Sequence, residues 1–294
     1  YGFPELSGEF RDKISKGKRI AVPGCYATGF ISLVYPLIQS GILPRDYPVA
    51  TFAMSGYSGA GRKAIAVYES KDRAPEFDAP REYALSQQHK HLKEMTKITG
   101  LQRTPLFSPM VCDYYSGMIV TLPLYTDLLN GKPSLQEVQE KLAAFYEGEP
   151  FIQVMPLGSE DETNGFLAGN ARSGWGGLEI FVTGNEDRIL LSSRFDNLGK
   201  GASGAAIQCM NLMLGFEDRD GWGREEGTEF IRFRNCSVRK MMNNNFEIRT
   251  MTIEDYQGVH DLWMTIKGFA IRSIDDSKEG VASFLKRNPT TSVV

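Results

Sequence analysis

The chain has 294 residues, 41% hydrophobic and 23% charged, with a net charge of −3. That length is enough for about two domains with a large core. The charge leaves no footprint for nucleic acid or an anionic membrane, and no apolar run approaches the ~20 residues of a membrane-spanning helix.

The chain opens on Tyr1-Gly2-Phe3-Pro4-Glu5-Leu6, without initiator Met, basic start or apolar secretory region, so it reads as a piece of a longer chain. Gly17 to Val22 is a basic, strand-like stretch leading into Pro23-Gly24-Cys25-Tyr26, and the apolar segment Phe30 to Ser40 follows, ending at Gly41. Val49 to Met54 reads as a buried strand that opens into the glycine-dense loop Ser55 to Lys63. Arg62 to Ala74 makes no clean amphipathic helix, whereas Leu85 to Thr99 carries helix formers and stops before Gly100. Met118 to Leu124 is a strand candidate, and Ser134-Leu135-Gln136-Glu137 is a capping box opening a helix to about Tyr146. Phe151 to Met155, Leu178 to Val182 and Arg188 to Ser192 read as strands, the last two joined through Asn185-Glu186-Asp187. Asp196 to Gly204 leads into an apolar helix, Ala205 to Leu214, closed by Gly215. This mixture predicts an α/β (α+β) domain with a mixed sheet. Residues 216–245 are charged and polar and read as a linker. From Phe246 a new segment begins: Glu247-Ile248-Arg249 as a short strand, then a helix start at Thr252-Ile253-Glu254-Asp255.

Cys25 stands where a loop gives way to a helix N-terminus. Unpaired N–H groups and the helix dipole there lower a thiol's pKa and supply donors to an acyl oxyanion. The competing reading is a small buried hydrophobe at a helix start. The other cysteines, Cys112, Cys209 and Cys236, are far apart and form no Cys-x-x-Cys pair, which argues against zinc and a disulfide framework and for a reducing cytoplasm. Two of the three histidines, His89 and His91, lie together. On a helix, residues two apart face differently, so the pair is a poor chelate; it reads either as a general acid/base beside Cys25 with its support or as a solvated face. The pattern Gly56-x-x-Gly59-x-Gly61 follows a strand, yet neither a dinucleotide fingerprint nor a phosphate loop is completed around it. It reads as a polar wall whose N–H groups, with Arg62, cradle an anion, or as a plain turn. Asn197 to Gly204 brings backbone close to a ligand at a helix start, or packs helix on sheet.

Taken together, Tyr1 to Leu6, Pro23-Gly24-Cys25-Tyr26, Ser55 to Gly61, His89-Lys90-His91-Leu92-Lys93-Glu94-Met95 and Asp196 to Ala202 resemble, in order and spacing, the N-acetyl-γ-glutamyl-phosphate reductases of arginine biosynthesis. The resemblance covers residues 1 to about 215. It implies a fold like the semialdehyde and glyceraldehyde-3-phosphate dehydrogenases: residues 1–22 as the remnant of a Rossmann domain, 23–200 as a catalytic and dimerisation domain, and 201–215 as a helix returning to the first. It further implies Cys25 as nucleophile and His91 as acid/base, with His89, Ser55, Gly56, Ser58, Gly59 and Arg62 at the substrate. Asn197, Gly199, Lys200 and Gly201 would meet an NADP(H) nicotinamide. The partners are a small-molecule substrate and further copies of the chain in a dimer or tetramer. Val22 replaces the family's usual Asn, Ser116-Gly117 replaces an expected Arg-Gly, and the Rossmann glycine fingerprint is missing. Residues 246–294 resemble the opening of a GNAT-type N-acetyltransferase, implying acetyl-CoA, although the pyrophosphate loop for that cofactor is absent. The related aspartate-semialdehyde chemistry, a Cys/His hydrolase and a non-catalytic dimerising scaffold stay open as rivals.

Overall fold

The computed structural model describes residues 1–219, 222–224, 231–233, 251–265 and 277–287. The chain divides into two compact units, Tyr1–Asp220 with Glu229–Ile231, and Gly221–Thr228 with Arg232–Val294. The boundaries expected at 22/23 and 200/201 both fall inside the first unit.

In the first unit, α1 (Gly8–Ser15) and α2 (Cys25–Gln39) are followed by β1 (Ala50–Gly56), α3 (Arg62–Tyr68), β2 (Arg81–Glu82) and α4 (His91–Thr99). Then come β3 (Leu106–Cys112), β4 (Met118–Tyr125), α5 (Leu135–Phe145), β5 (Ile152–Val154), β6 (Leu178–Gly184), β7 (Arg188–Phe195), a π turn (Gly199–Ser203) and α6 (Gly204–Met213). The seven strands form one sheet in the order β2-β3-β1-β4-β7-β6-β5. Pairings β1–β3 and β5–β6 are parallel and the rest antiparallel, the mixed sheet that the sequence predicts.

Helix α2 is apolar all round because it is buried all round: Phe30, Ile31, Leu33 and Val34 are fully buried. Full burial of each such side chain contributes roughly 1.5–3 kcal/mol. Gly29 sets the contact with the sheet, since a Cβ there would lie 2.5 Å from Val120 Cγ2 and 2.7 Å from Ser193 Oγ. Helix α2 therefore rests directly on β4 and β7, and its first residue, Cys25, is held rigidly at one end of the sheet. Part of the opposite sheet face is left uncovered by the described residues, while Ile119, Phe181, Ser192 and Arg194 on that face are buried. The uncovered part presents Phe52 and Met54 of β1, Leu106 of β3, Tyr125 of β4 and Leu190 of β7 to solvent.

Four readings change. Gly17 to Val22 is irregular, tied back through Gly2 N donating to Ala21 O at 2.8 Å, and the preceding helix is α1. Arg62 to Tyr68 is helical after all. The helix expected from Leu85 starts only at His91. Ala84 and Gln87 have φ near +55°, and the Gln87 amide exchanges hydrogen bonds with Phe107 N and O, holding the chain off the helical path. Strand β3 was not foreseen; Pro109 interrupts a pattern that reads poorly as a central strand.

In the second unit, Thr252 and Asp255 form a capping box ahead of α7 (Tyr256–Thr265), the helix start that the sequence predicts, and α8 (Lys278–Arg287) follows. The strand expected at 247–249 lies outside the described residues. No helix among them is long and apolar enough to cross a membrane.

Candidate active site

Cys25 is the first residue of α2, and Gly24 is its N-cap in extended backbone with no side-chain cap. The cap is anchored from α4: Glu94 Oε1 accepts from Gly24 N at 3.2 Å and from Tyr1 Oη at 2.7 Å. His91 begins α4, so the contact between the two helices carries the imidazole to the thiol. A Cβ on Gly24 would lie only 2.1 Å from His91 Nε2; glycine is what lets the ring approach. From the other side, Gly201 comes so close that a Cβ there would lie 2.9 Å from Cys25 Cβ. Cys25, His89 and His91 line one cavity of about 720 Å³, within the range of small-molecule sites.

His89 sits in the turn before α4, not on its far face, and the two histidine rings meet with centroids 4.6 Å apart. His89 Nδ1 accepts from His91 N at 3.3 Å, which leaves its other nitrogen to carry the proton. His91 Nδ1 is buried without a hydrogen-bond partner. Burial, then the charges of His89 and Lys90, push His91 down to about 4, so at neutral pH it is an uncharged base.

The thiol behaves differently from expectation. The N–H groups of Tyr26 and Cys25 and the Lys90 ammonium do favour the thiolate, but burial outweighs them and pushes Cys25 up to about 11. The resting pair is therefore thiol and neutral imidazole. A base must remove the proton as the sulfur attacks, and His91 stands where it can.

The glycine loop is a wall of the cavity at Ser55, Gly56, Gly59 and Ala60. It is not an anion cradle at its start: the N–H groups of Gly56, Tyr57 and Ser58 donate to the carbonyls of Gly117, Tyr114 and Tyr115. Ser58 is buried and its Oγ accepts from Asn197 Nδ2 at 2.9 Å, so it braces the loop and does not line the cavity. Arg62 opens α3, outside the lining. Asn197 does line the cavity, with its amide committed to Ser58 and to Gly117 N at 2.8 Å.

Two of the residues expected at the cofactor are engaged within the protein. Gly199 packs against Trp175, whose carbonyl oxygen would lie 2.2 Å from an added Cβ. Lys200 is 1% exposed, its ammonium bonded to Glu5 Oε1 and to Gln208 Oε1 and flanked by the rings of Phe3 and Phe151. A lysine spent on a buried carboxylate holds the π turn to the N-terminal segment. Leu198, Gly201 and Ala202 supply the cavity wall on this side.

Sequence reasoning missed Arg81, Tyr83 and Lys90, all in the lining, and Glu94 behind it. Lys90 was visible between the two histidines. Arg81 had no signal of its own. Among the described residues no group of His, Cys, Asp or Glu is arranged to hold a metal.

Comparison with known proteins places the chain in a family. The semialdehyde dehydrogenase, dimerisation domain family matches residues 25–197. N-acetyl-gamma-glutamyl-phosphate reductase 2 of Nostoc sp. (strain PCC 7120) is 42% identical over 229 residues, 75% of this chain and 71% of that protein. The N-acetyl-gamma-glutamyl-phosphate reductase of Brucella ovis is 43% identical over 219 residues, 73% and 70% of the two chains. Among solved structures, aspartate semialdehyde dehydrogenase of Francisella tularensis superposes with TM-score 0.55 at 16% identity, covering 72% of this chain and 70% of that one. Aspartate semialdehyde dehydrogenase II of Vibrio cholerae does so with TM-score 0.52 at 15% identity, covering 72% and 67%. At such identity these two speak for the fold alone. The chain belongs to the semialdehyde dehydrogenase family and, within it, to the N-acetyl-gamma-glutamyl-phosphate reductases.

Proposed function

We propose that the chain carries the catalytic site for reductive dephosphorylation of N-acetylglutamyl 5-phosphate to N-acetylglutamate 5-semialdehyde, an NADPH-dependent step of arginine biosynthesis. The observation that carries this reading is the approach of His91 Nε2 to the glycine preceding Cys25, in one cavity. Cys25 Sγ attacks the acyl carbon while His91 takes the thiol proton. N–H groups at the start of α2 steady the oxyanion, and the carbon–oxygen bond to phosphate breaks, leaving a thioester and inorganic phosphate. The cavity is larger than an acyl chain and a phosphate require, and Asn197, Leu198, Gly201 and Ala202 form one wall of it. A nicotinamide bound along that wall would supply the hydride for the acyl carbon. His91, protonated in the first step, then returns its proton as the carbon–sulfur bond opens to the aldehyde.

A second copy of the chain covers the apolar sheet face around Phe52 and Leu190, in keeping with the dimerisation domain that the chain matches. For residues 246–294 the acetyltransferase reading has only the sequence resemblance behind it. Failure of the chain with its native flanking sequence to bind acetyl-CoA removes it. The main reading is tested by following NADP⁺ reduction with phosphate and either N-acetylglutamate 5-semialdehyde or aspartate semialdehyde. The acetylated substrate alone should react; preference for the aspartyl substrate, or turnover without NADP⁺, contradicts the proposal.

A further inference from the structure

The π turn that contributes one wall of the cavity is held from behind by a buried polar cluster. Leu198, Gly201 and Ala202 face the cavity, while Lys200, between them, lies outside the lining and is 1% exposed. Its ammonium donates to Glu5 Oε1 and, at 2.6 Å, to Gln208 Oε1. Gln208 Nε2 donates to Glu5 Oε1 at 2.8 Å, closing a triangle of lysine, glutamate and glutamine. Its three members come from different elements: the π turn, the short turn Pro4–Leu6 and α6. The triangle is itself anchored. Asp218 Oδ2 accepts from Gln208 Nε2 at 3.3 Å and from Arg11 Nη1 at 2.7 Å, and Arg11 Nη2 donates to Glu149 Oε2 at 2.7 Å.

The wall tied down in this way meets the nucleophile directly. A Cβ on Gly201 would lie 2.9 Å from Cys25 Cβ and 3.2 Å from Phe195 Cε2, so bare backbone packs on the cysteine side chain. Within the turn, Gly201 N donates to Asp196 O at 3.1 Å and Ser203 N to Leu198 O at 2.9 Å. Those bonds set the shape of the turn; its depth against Cys25 is set by what holds it from behind. A buried ion pair contributes little to stability beyond what well-packed apolar side chains of similar volume would give. What it adds is direction, because Lys200 keeps both acceptors only with the turn at one depth.

We infer that Lys200, with Glu5 and Gln208, is a positioning residue that acts through Gly201, holding the π turn against the Cys25 side chain. Resting on the function proposed above, the tether thereby fixes the spacing between the sulfur and the wall along which a nicotinamide would lie. It also keeps water from that side of the sulfur, in keeping with burial as the main cause that pushes Cys25 up to about 11. Lys90 and Glu94, on the α4 side, act on the sulfur in opposite senses. Burial holds His89, His91, Tyr26 and Tyr83 in their neutral forms. None of these groups belongs to the triangle.

The test is alkylation of Cys25 by iodoacetamide as a function of pH, without substrate or nicotinamide, in the chain with its native flanking sequence. Glu5→Gln combined with Lys200→Met removes the tether and leaves neither charge of the pair buried alone. The loosened turn should admit water to the sulfur and lower the alkylation midpoint by about one pH unit, roughly a tenfold faster reaction at pH 8. Cys112, buried on β3, is the internal control and should react as slowly as in the parent. Gln208→Met keeps the ion pair and frees one side of the lysine. It should give a rise of about threefold, and it decides the matter if the double variant does not fold. In the double variant, single-turnover NADPH oxidation per acyl enzyme formed should fall about 100-fold, the loss that a misplacement of about 1 Å produces. Alkylation at the parent rate, a rise shared equally by Cys112, or NADPH oxidation at the parent rate means that the tether serves the fold alone, and overturns the inference. If the parent forms no acyl enzyme, the proposed function itself has failed, and the alkylation profile still decides the inference.

Discussion

Gly24→Ala isolates the imidazole from everything else in the site. The backbone at Gly24, φ −72° and ψ 152°, suits any L residue, so no strain is introduced. Replacing a glycine N-cap by alanine costs less than about 1 kcal/mol. The methyl group, however, would lie 2.1 Å from His91 Nε2 and 2.7 Å from both Cδ2 and Cε1. Carbon contacts settle near 3.5 Å, so the ring must retreat by more than about 1 Å. It retreats against His89 and Tyr26, whose ring centres lie 4.6 and 6.0 Å away. A displacement of that size costs about 100-fold in rate, or ~2.7 kcal/mol of barrier. Rapid-quench measurement of Cys25 acylation should show that loss in the rate constant, with the substrate concentration at half-saturation little changed and circular dichroism unaltered. A variant that folds and acylates within threefold of the parent would refute the placement of His91 as base.

Lys200→Met leaves Glu5 buried with no cation, one of its oxygens already lacking a partner. It should cost about 3–5 kcal/mol and lower Tm by roughly 10 °C, while Glu5→Gln combined with Lys200→Met recovers most of the loss in calorimetry. A single variant as stable as the parent would show the pair to be dispensable. Acid should unfold the protein partly through His91. Its folded pKa, about 4, lies below the unfolded 6.5, so the unfolded chain binds more protons between those values. The contribution is complete above pH 6.5 and disappears as the pH falls to 4, roughly 3 kcal/mol in all. Urea titrations of His91→Asn should show a correspondingly flatter loss over that window, and an unchanged slope would contradict the assignment. Phe52→Lys with Leu190→Lys puts charge on the bare sheet face. On the pairing proposed above, sedimentation should report a dimer for the parent and a monomer for the variant, and an unchanged mass would mean that the contact lies elsewhere.

The position of Cys25 was legible because Pro23-Gly24 breaks one path and the apolar run after it starts another. The strands β1, β4, β6 and β7 were legible from their alternation and β-branched content. What escaped was decided at a distance in sequence. Gln87 stands in for a strand partner of Phe107 and bends the His89 segment away from helix, so the two imidazoles meet where helical spacing would part them. The thiol's resistance to ionisation comes from the protein gathered over it, which the helix start alone does not reveal. Lys200, in a glycine-rich run beside the site, looked like a ligand contact. Its partner Glu5 lies 195 residues away, and only the fold brings them together. Arg81 was silent because the rings that orient it, Tyr68 and Phe77, belong to a stretch with little periodicity of its own.

Peptide mass spectrometry after mixing the protein with N-acetylglutamyl 5-phosphate, without nicotinamide, asks most directly whether one sulfur is the acyl acceptor. A single N-acetylglutamyl group should appear on the peptide containing Cys25, matched mole for mole by released phosphate and lost in Cys25→Ser. An acyl group on another residue, or phosphate release undiminished in that variant, would contradict it.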